Sequence, residues 1–153
     1  MEDREKLLGR LQDLCARAEH CSADIFQKAM KALDWDRVAS QEIVDSLVKD
    51  GYIDDRRYAE AFARDKAQLT GWGPVKISYA LAAKGIGKDV VSEALSQINE
   101  EKASAKLRSL LDAKYRSVRG EADAKLRLLK YALTRGYEYS QIEFLVNDIV
   151  SGK

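Results

Sequence analysis

The residues of this chain that could carry chemistry are few and scattered. His20, the single histidine, sits beside Cys21, and Cys15 is the only other cysteine. A structural zinc site normally takes four Cys or His ligands, so a chain without a third cysteine or second histidine lacks the set. A disulfide between the two is disfavoured in a reducing compartment, and small, partly buried thiols are the expectation. Asp54-Asp55 could be drawn as a metal-binding or acid/base carboxylate pair. Their place just after Gly51 and before a helical run favours helix capping instead, where a carboxylate accepts the orphan N–H groups. No phosphate loop of the G-x-x-x-x-G-K-[ST] kind and no dinucleotide fingerprint occurs. Gly71-Trp72-Gly73 is too short and lacks the Lys-Ser/Thr that would hold a phosphate. His20 has no serine or cysteine partner arranged for nucleophilic work. These residues describe a binder rather than an enzyme, with no cofactor and no metal.

Cations are better placed for binding. Net charge is only +1, but it is uneven: residues 1–50 balance to −3, residues 51–100 to zero and residues 101–153 to +4. The basic end is where an anionic partner belongs. Arg64 and Lys66 fall at the end of one expected helix, Lys76 opens the next and Lys84 closes it. Lys125, Arg127, Lys130 and Arg135 recur later. Each alone reads as ordinary solvated charge; their recurrence at related points suggests one shared surface. Trp72, on a glycine-flanked turn, suits packing and partner contact equally, whereas Tyr79 reads as core.

Apolar periodicity positions these residues on helices throughout. The expected helices cover 3–19, 23–33, 38–50, 55–69, 74–84, 88–98, 101–118, 121–135 and 140–150. Tyr58, Phe62 and Leu69 are the expected apolar side of the fourth; Val75, Ile77, Tyr79 and Leu81 of the fifth; Leu126, Leu129 and Leu133 of the eighth. Val48 joins Ile43 and Leu47 in the third. Ser22 is the expected cap of the second helix, and Ser140-x-x-Glu143 has the spacing of a capping box for the last. Pro74, the only proline, suits a first helical position, and Gly51 and Gly85 suit helix ends. No segment alternates with period two, so the fold class is all-α.

The nine helices form three groups of three, with repeats expected at 1–51, 52–99 and 100–153. Trp35, Ile86 and Tyr137 recur at a spacing of 51 residues at the turn before each group's last helix. Lys84-Gly85 matches Arg135-Gly136, while Asp34-Trp35-Asp36 departs from the pattern. Tyr79-Ala80-Leu81 echoes Tyr131-Ala132-Leu133 one residue out of step. A unit of roughly 45 residues is near the lower size limit for independent stability, and stacking three buries what each leaves exposed. The expected shape is an elongated, helix-turn-helix-like array with joints near Gly51 and Ile98-Asn99.

The run from Gly51 through Asp54-Asp55, Arg57-Tyr58-Ala59, Gly71-Trp72-Gly73, Lys76-Ile77, Leu81 and Lys84-Gly85-Ile86 resembles the RecX family of bacterial recombination regulators. CARAEHCSADIF near the start and LRLLKYALTRGYEYSQI near the end fit the same family. The resemblance implies a regulator in DNA repair, homologous recombination and the SOS response. It implies binding to the RecA recombinase filament on single-stranded DNA, with inhibition of ATP hydrolysis, filament growth and strand exchange. The expected monomer is placed in the cytoplasm, because no apolar run approaches the roughly 20 residues of a membrane span and MEDREKLLGR is charged and amphipathic, unlike a secretory signal. The residue pattern, not the resemblance, offers Arg64, Lys66, Trp72, Lys76, Lys84, Lys125, Arg127, Lys130 and Arg135 as candidate partner and DNA contacts. Four to six such cations on phosphates would give a salt slope of roughly −4 to −5 and affinities of about 10⁻⁴ to 10⁻⁶ M, so DNA alone is a weak target. The alternative is a stand-alone helix-turn-helix-like DNA-binding protein, although the third helices offer few base-reading side chains beyond Lys88, Ser92, Gln141 and Asn147.

Overall fold

The computed structural model describes residues 2–152, which form nine α-helices, one π-helical turn and no strand. The helices are α1 Arg4–Arg17, α2 Ser22–Ala32, α3 Arg37–Lys49, α4 Asp55–Asp65, α5 Pro74–Ala83, α6 Lys88–Ser96, α7 Glu100–Val118, α8 Ala124–Thr134 and α9 Tyr139–Ser151; the π turn, Lys66–Thr70, follows α4 directly. The first helix of each group, continued by the π turn in the second, buries one row at four-residue steps: Leu7, Leu11 and Cys15; Ala59, Ala63 and Ala67; Ala103, Leu107 and Leu111. Such a row stays on one side because four residues nearly complete a turn. The buried apolar residues fall into three clusters, spanning Leu7 to Ile53, Ala59 to Ala103 and Leu107 to Ile149.

The repeat is written in the backbone more clearly than in the letters. Trp35, Ile86 and Tyr137 each donate an N–H to the carbonyl five residues back, on Met30, Leu81 and Ala132, at 2.7, 3.2 and 3.3 Å. Those three acceptors are all buried. Leu81 therefore corresponds to Ala132, and the Tyr-Ala-Leu echo is a shifted coincidence. The reversal uses a left-handed residue each time: Asp34 at φ 52°, Gly85 at 78° and Gly136 at 99°. The first group thus keeps the turn without the glycine. There Trp35 is left-handed as well, at φ 66°, and its side chain is exposed where Ile86 is buried.

Several sequence expectations fail for geometric reasons. Tyr79 is 76% exposed, because Ile77 and Leu81 hold the inward side of α5 and a residue midway between them points away. Leu69 is exposed, since Ala59, Ala63 and Ala67 form the inward row. In α8 the buried positions are Ala124, Leu128 and Ala132, leaving Leu126 and Leu133 exposed. Val48 is exposed beside the buried pair Ile43 and Leu47. The last helix starts earlier than expected: Gln141 Oε1 accepts from the Glu138 N–H at 2.9 Å, so the Ser140/Glu143 box does not form at the N-cap. Ser22 is the first helical residue, not the cap; its N–H donates to Asp55 of the next group at 2.7 Å. Asp54 caps α4 through the Arg57 N–H at 3.1 Å, so the two aspartates serve two different helices.

Candidate functional site

The site is built around the turn at residues 71–73. After α4 the chain widens into the π turn, Gly71 reverses it at φ 77° with its N–H on the Lys66 carbonyl, and Pro74 restarts it as α5. This turn, between the first two helices of its group, is seated against the turn between the last two helices of the third group. The Gly73 N–H donates to the Arg135 carbonyl at 2.7 Å, and the Val75 N–H to the Gly136 carbonyl at 3.0 Å. A Cβ on Gly73 would overlap the Gly136 backbone, and one on Gly136 would overlap Lys76. Only two facing glycines allow main chains this close. The Tyr137 hydroxyl donates to the Trp72 carbonyl at 3.3 Å, and burial pushes its phenol pKa up. The Arg135 guanidinium donates to the Thr70 carbonyl, while its Nε is buried without a hydrogen-bond partner among the described residues.

Cations gather on this seam. The Trp72 indole packs edge-on against Phe62, ring centroids 6.0 Å apart at 77°. The Lys66 and Lys76 ammonium groups lie 4.6 and 4.5 Å from the Trp72 centroid. Each such contact offers about 0.5–1 kcal/mol at exposed sites, which helps hold two like charges close together. Lys106 of α7 and Arg135 flank Gly71, with Lys106 Cγ and Arg135 Nη2 within 3.5 and 3.7 Å of the point a Cβ would occupy. Lys66, Lys76 and Lys106 make no ion pair among the described residues. The result is a cation cluster without carboxylate compensation, the chemistry of a polyanion contact. Both the Lys66 and Lys76 ammonium groups lie over the Trp72 ring.

The other candidates are placed differently. Lys84 pairs with Asp24 at 2.7 Å, which ties the second group to the first and raises the ammonium pKa chiefly through that hydrogen bond. Arg127 is held by Glu121 at 2.8 Å and Asp123 at 3.2 Å. Arg64 lies 3.8 Å from Asp65. Lys125 and Lys130 are exposed on α8, and no ion pair among the described residues engages either. Lys66, Trp72, Lys76 and Arg135 are thus brought together, while Lys84 and Arg127 have their charge met within the chain. Lys106 was not singled out from the sequence, because only the docking of α7 on the π turn brings it to Gly71.

Cys15 and Cys21 are free and buried, and burial is the largest cause raising both thiol pKa values, which disfavours the reactive thiolate. No group of three or more His, Cys, Asp or Glu residues among those described is arranged to hold a metal. No described helix is long and apolar enough to cross a membrane.

Comparison with known proteins agrees with this architecture. The model of the second three-helix domain of RecX matches residues 54–95, which run from the α4 cap through most of α6. Regulatory protein RecX of Clostridium botulinum strain Eklund 17B is 31% identical over 126 residues, covering 80% of this chain and 58% of that protein. The Lactococcus lactis subsp. cremoris SK11 relative is 33% identical over 104 residues, covering 65% of this chain and 39% of its own length. The chain spans a little over half the length of the clostridial relatives it matches. In fold, a crystal structure of regulatory protein RecX superposes with a TM-score of 0.78 at 24% identity, over 98% of this chain and 72% of that one. RecX from Lactobacillus salivarius does so with a TM-score of 0.77 at 20% identity, over 95% and 96%. Sequence relatives, the domain match and the shared helical-repeat fold together place this chain in the RecX family of regulatory proteins.

Proposed function

We propose that this chain binds the RecA filament on single-stranded DNA and restrains its ATP hydrolysis, growth and strand exchange, with no chemistry of its own. The observation that carries the proposal is the seam cluster of Lys66, Lys76 and Lys106, which no described carboxylate neutralises. A cation set of this size supports weak contact with a nucleic-acid backbone. Added protein contact would be needed for tight binding. The three repeats, 1–51, 52–99 and 100–153, act in this reading as one array laid along a polymer. The filament supplies both kinds of surface at once.

Filament binding measured by fluorescence anisotropy across a salt series tests the seam assignment. The combined variant Lys66→Glu, Lys76→Glu, Lys106→Glu is expected to bind at least tenfold more weakly. Its log–log salt slope should be shallower by about 2, from the roughly 0.7 lost per single-strand phosphate contact. Wild-type affinity and slope in the variant would remove the seam from the interface. A stand-alone duplex-DNA reader is less well supported, because Lys88 and Ser92 of α6 line one groove with the buried Val91 and half-buried Leu95, an apolar rather than a base-reading surface.

A further inference from the structure

The charges of α7 divide between two sides. Arg108 is met by Asp112 of its own helix and by Asp148 of α9, each at 3.7 Å. Lys106, Leu110 and Lys114 form a separate row at four-residue steps. Lys106 and Leu110 of that row flank Gly71 at the seam, and the Lys114 ammonium lies 5.8 Å from the centroid of the Tyr131 ring on α8. One turn along α8, Arg135 reaches Gly71 and Thr70. The two rows therefore run side by side in opposite chain directions, and the cleft between them starts at the cation cluster. Lys114 makes no ion pair among the described residues. The next residue of the α8 row, Arg127, is neutralised by Glu121 and Asp123. Uncompensated charge thus runs from the seam to Lys114 and stops there.

We propose that this cleft carries the backbone of a single-stranded nucleic acid away from the seam, with Lys114 as its far phosphate contact. The assignment deepens the nucleic-acid contact of the proposed function and rests on it. Charge selects a polymer: the eight residues from Lys106 to Lys114 cover about 12 Å of helix, too far for one phosphate to meet both ammonium groups. A nucleic-acid strand, with a charge about every 3.4 Å of its axis in B-form, supplies a phosphate to each. Shape selects a single strand. Lys66, Lys76, Lys106 and Lys114 are all half-buried, and packed helices lie about 8–10 Å apart. A lone strand can follow such a cleft, as in other charged grooves that track a backbone. A duplex, stiff over about 150 base pairs, spans the rims instead. The contact of Lys114 with the Tyr131 ring, of a kind that offers about 0.5–1 kcal/mol at exposed sites, holds the ammonium over the cleft.

Fluorescence anisotropy with labelled oligothymidylate and no RecA, in a salt series starting at about 50 mM, tests the assignment. Lys114→Gln and Lys125→Gln remove the same charge, but Lys125 stands off the row of Tyr131 and Arg135 on α8. Glutamine matches lysine in helix propensity, and an unchanged thermal midpoint is the folding control. Lys114→Gln is expected to bind at least threefold more weakly at low salt. Its log–log salt slope should be shallower by about 0.7, the share of one single-strand phosphate contact. Lys125→Gln should keep wild-type affinity and slope. Equal losses in the two variants would mark diffuse attraction and overturn the cleft, as would a wild-type slope in Lys114→Gln. Tighter binding of a duplex of the same length than of the single strand would overturn it too. The combined variant Lys66→Glu, Lys76→Glu, Lys106→Glu separates the two levels. If it loses affinity and Lys114→Gln does not, the cleft falls and the seam contact stands. If neither loses affinity, or the unmodified chain binds no oligothymidylate at low salt, both fall.

Discussion

At the scale of single residues, the seam between the second and third groups depends on the absence of two Cβ atoms. Gly73→Ala should lower stability in urea unfolding by about 1–3 kcal/mol, the usual range for overpacking, because main chain offers nothing that can give way. Gly9→Ala is the control: it lies inside α1, a Cβ there meets nothing, and a gain of about 0.5–1 kcal/mol is expected. The glycines were legible as turn residues, but which of them faced another main chain was not, since that depends on contacts 63 residues apart between Gly73 and Gly136. The same limit separated Arg135 from its neighbours: the sequence shows a cation, whereas the fold turns it into a staple on Thr70. Lys84 is the titratable counterpart. Its raised pKa means its contribution is complete below the ordinary lysine value of about 10.4. That contribution is lost as pH rises through the higher folded value. Lys84→Met should flatten the alkaline fall of stability, read as the unfolding midpoint between pH 8 and roughly 11.5. A fall as steep as in the wild type would mean that the Asp24 pair contributes nothing.

Among the elements, helix existence followed from periodicity and punctuation, while the inward side was legible only where one row of large residues stood out. Leu7 and Leu11 in α1 are such a row, and they are fully buried. In α8 the outward-facing Leu126 and Leu133, with the half-buried Leu129, competed with Ala124, Leu128 and Ala132, and small inward residues give a pattern search little to weigh. The row Ala59, Ala63 and Ala67 misled the reading of α4 in the same way, since alanines allow close approach of α6 without standing out as core. The structural side of α8 predicts opposite outcomes for adjacent substitutions. Leu128→Ala should cost about 2–5 kcal/mol, as a buried truncation does, whereas Leu126→Gln should stay within about 0.5 kcal/mol, both read from denaturant midpoints. Comparable losses at the two positions would reverse the assignment of the helix face.

Over the whole molecule the two seams differ in kind. The second and third groups are joined by backbone hydrogen bonds and facing glycines. Between the first and second, the polar links are side-chain contacts: Arg57 with Glu19, Lys84 with Asp24, and Asp55 on the Ser22 N–H. Exposed ion pairs weaken with salt, so raising ionic strength should speed amide exchange at Ser22 while leaving Gly73 and Val75 protected. Equal responses at both seams would contradict this difference. Two groups joined through backbone and carrying the cation cluster, with polar side-chain links to the first, suit the proposed lie along a filament. The most direct test is ATP hydrolysis by RecA on single-stranded DNA, titrated with this chain and with the variant Lys66→Glu, Lys76→Glu, Lys106→Glu. Hydrolysis should fall as the wild-type chain approaches stoichiometric ratio, and the variant should need at least tenfold more protein for the same fall. Unchanged hydrolysis with the wild-type chain, or identical curves for the two proteins, would contradict the account.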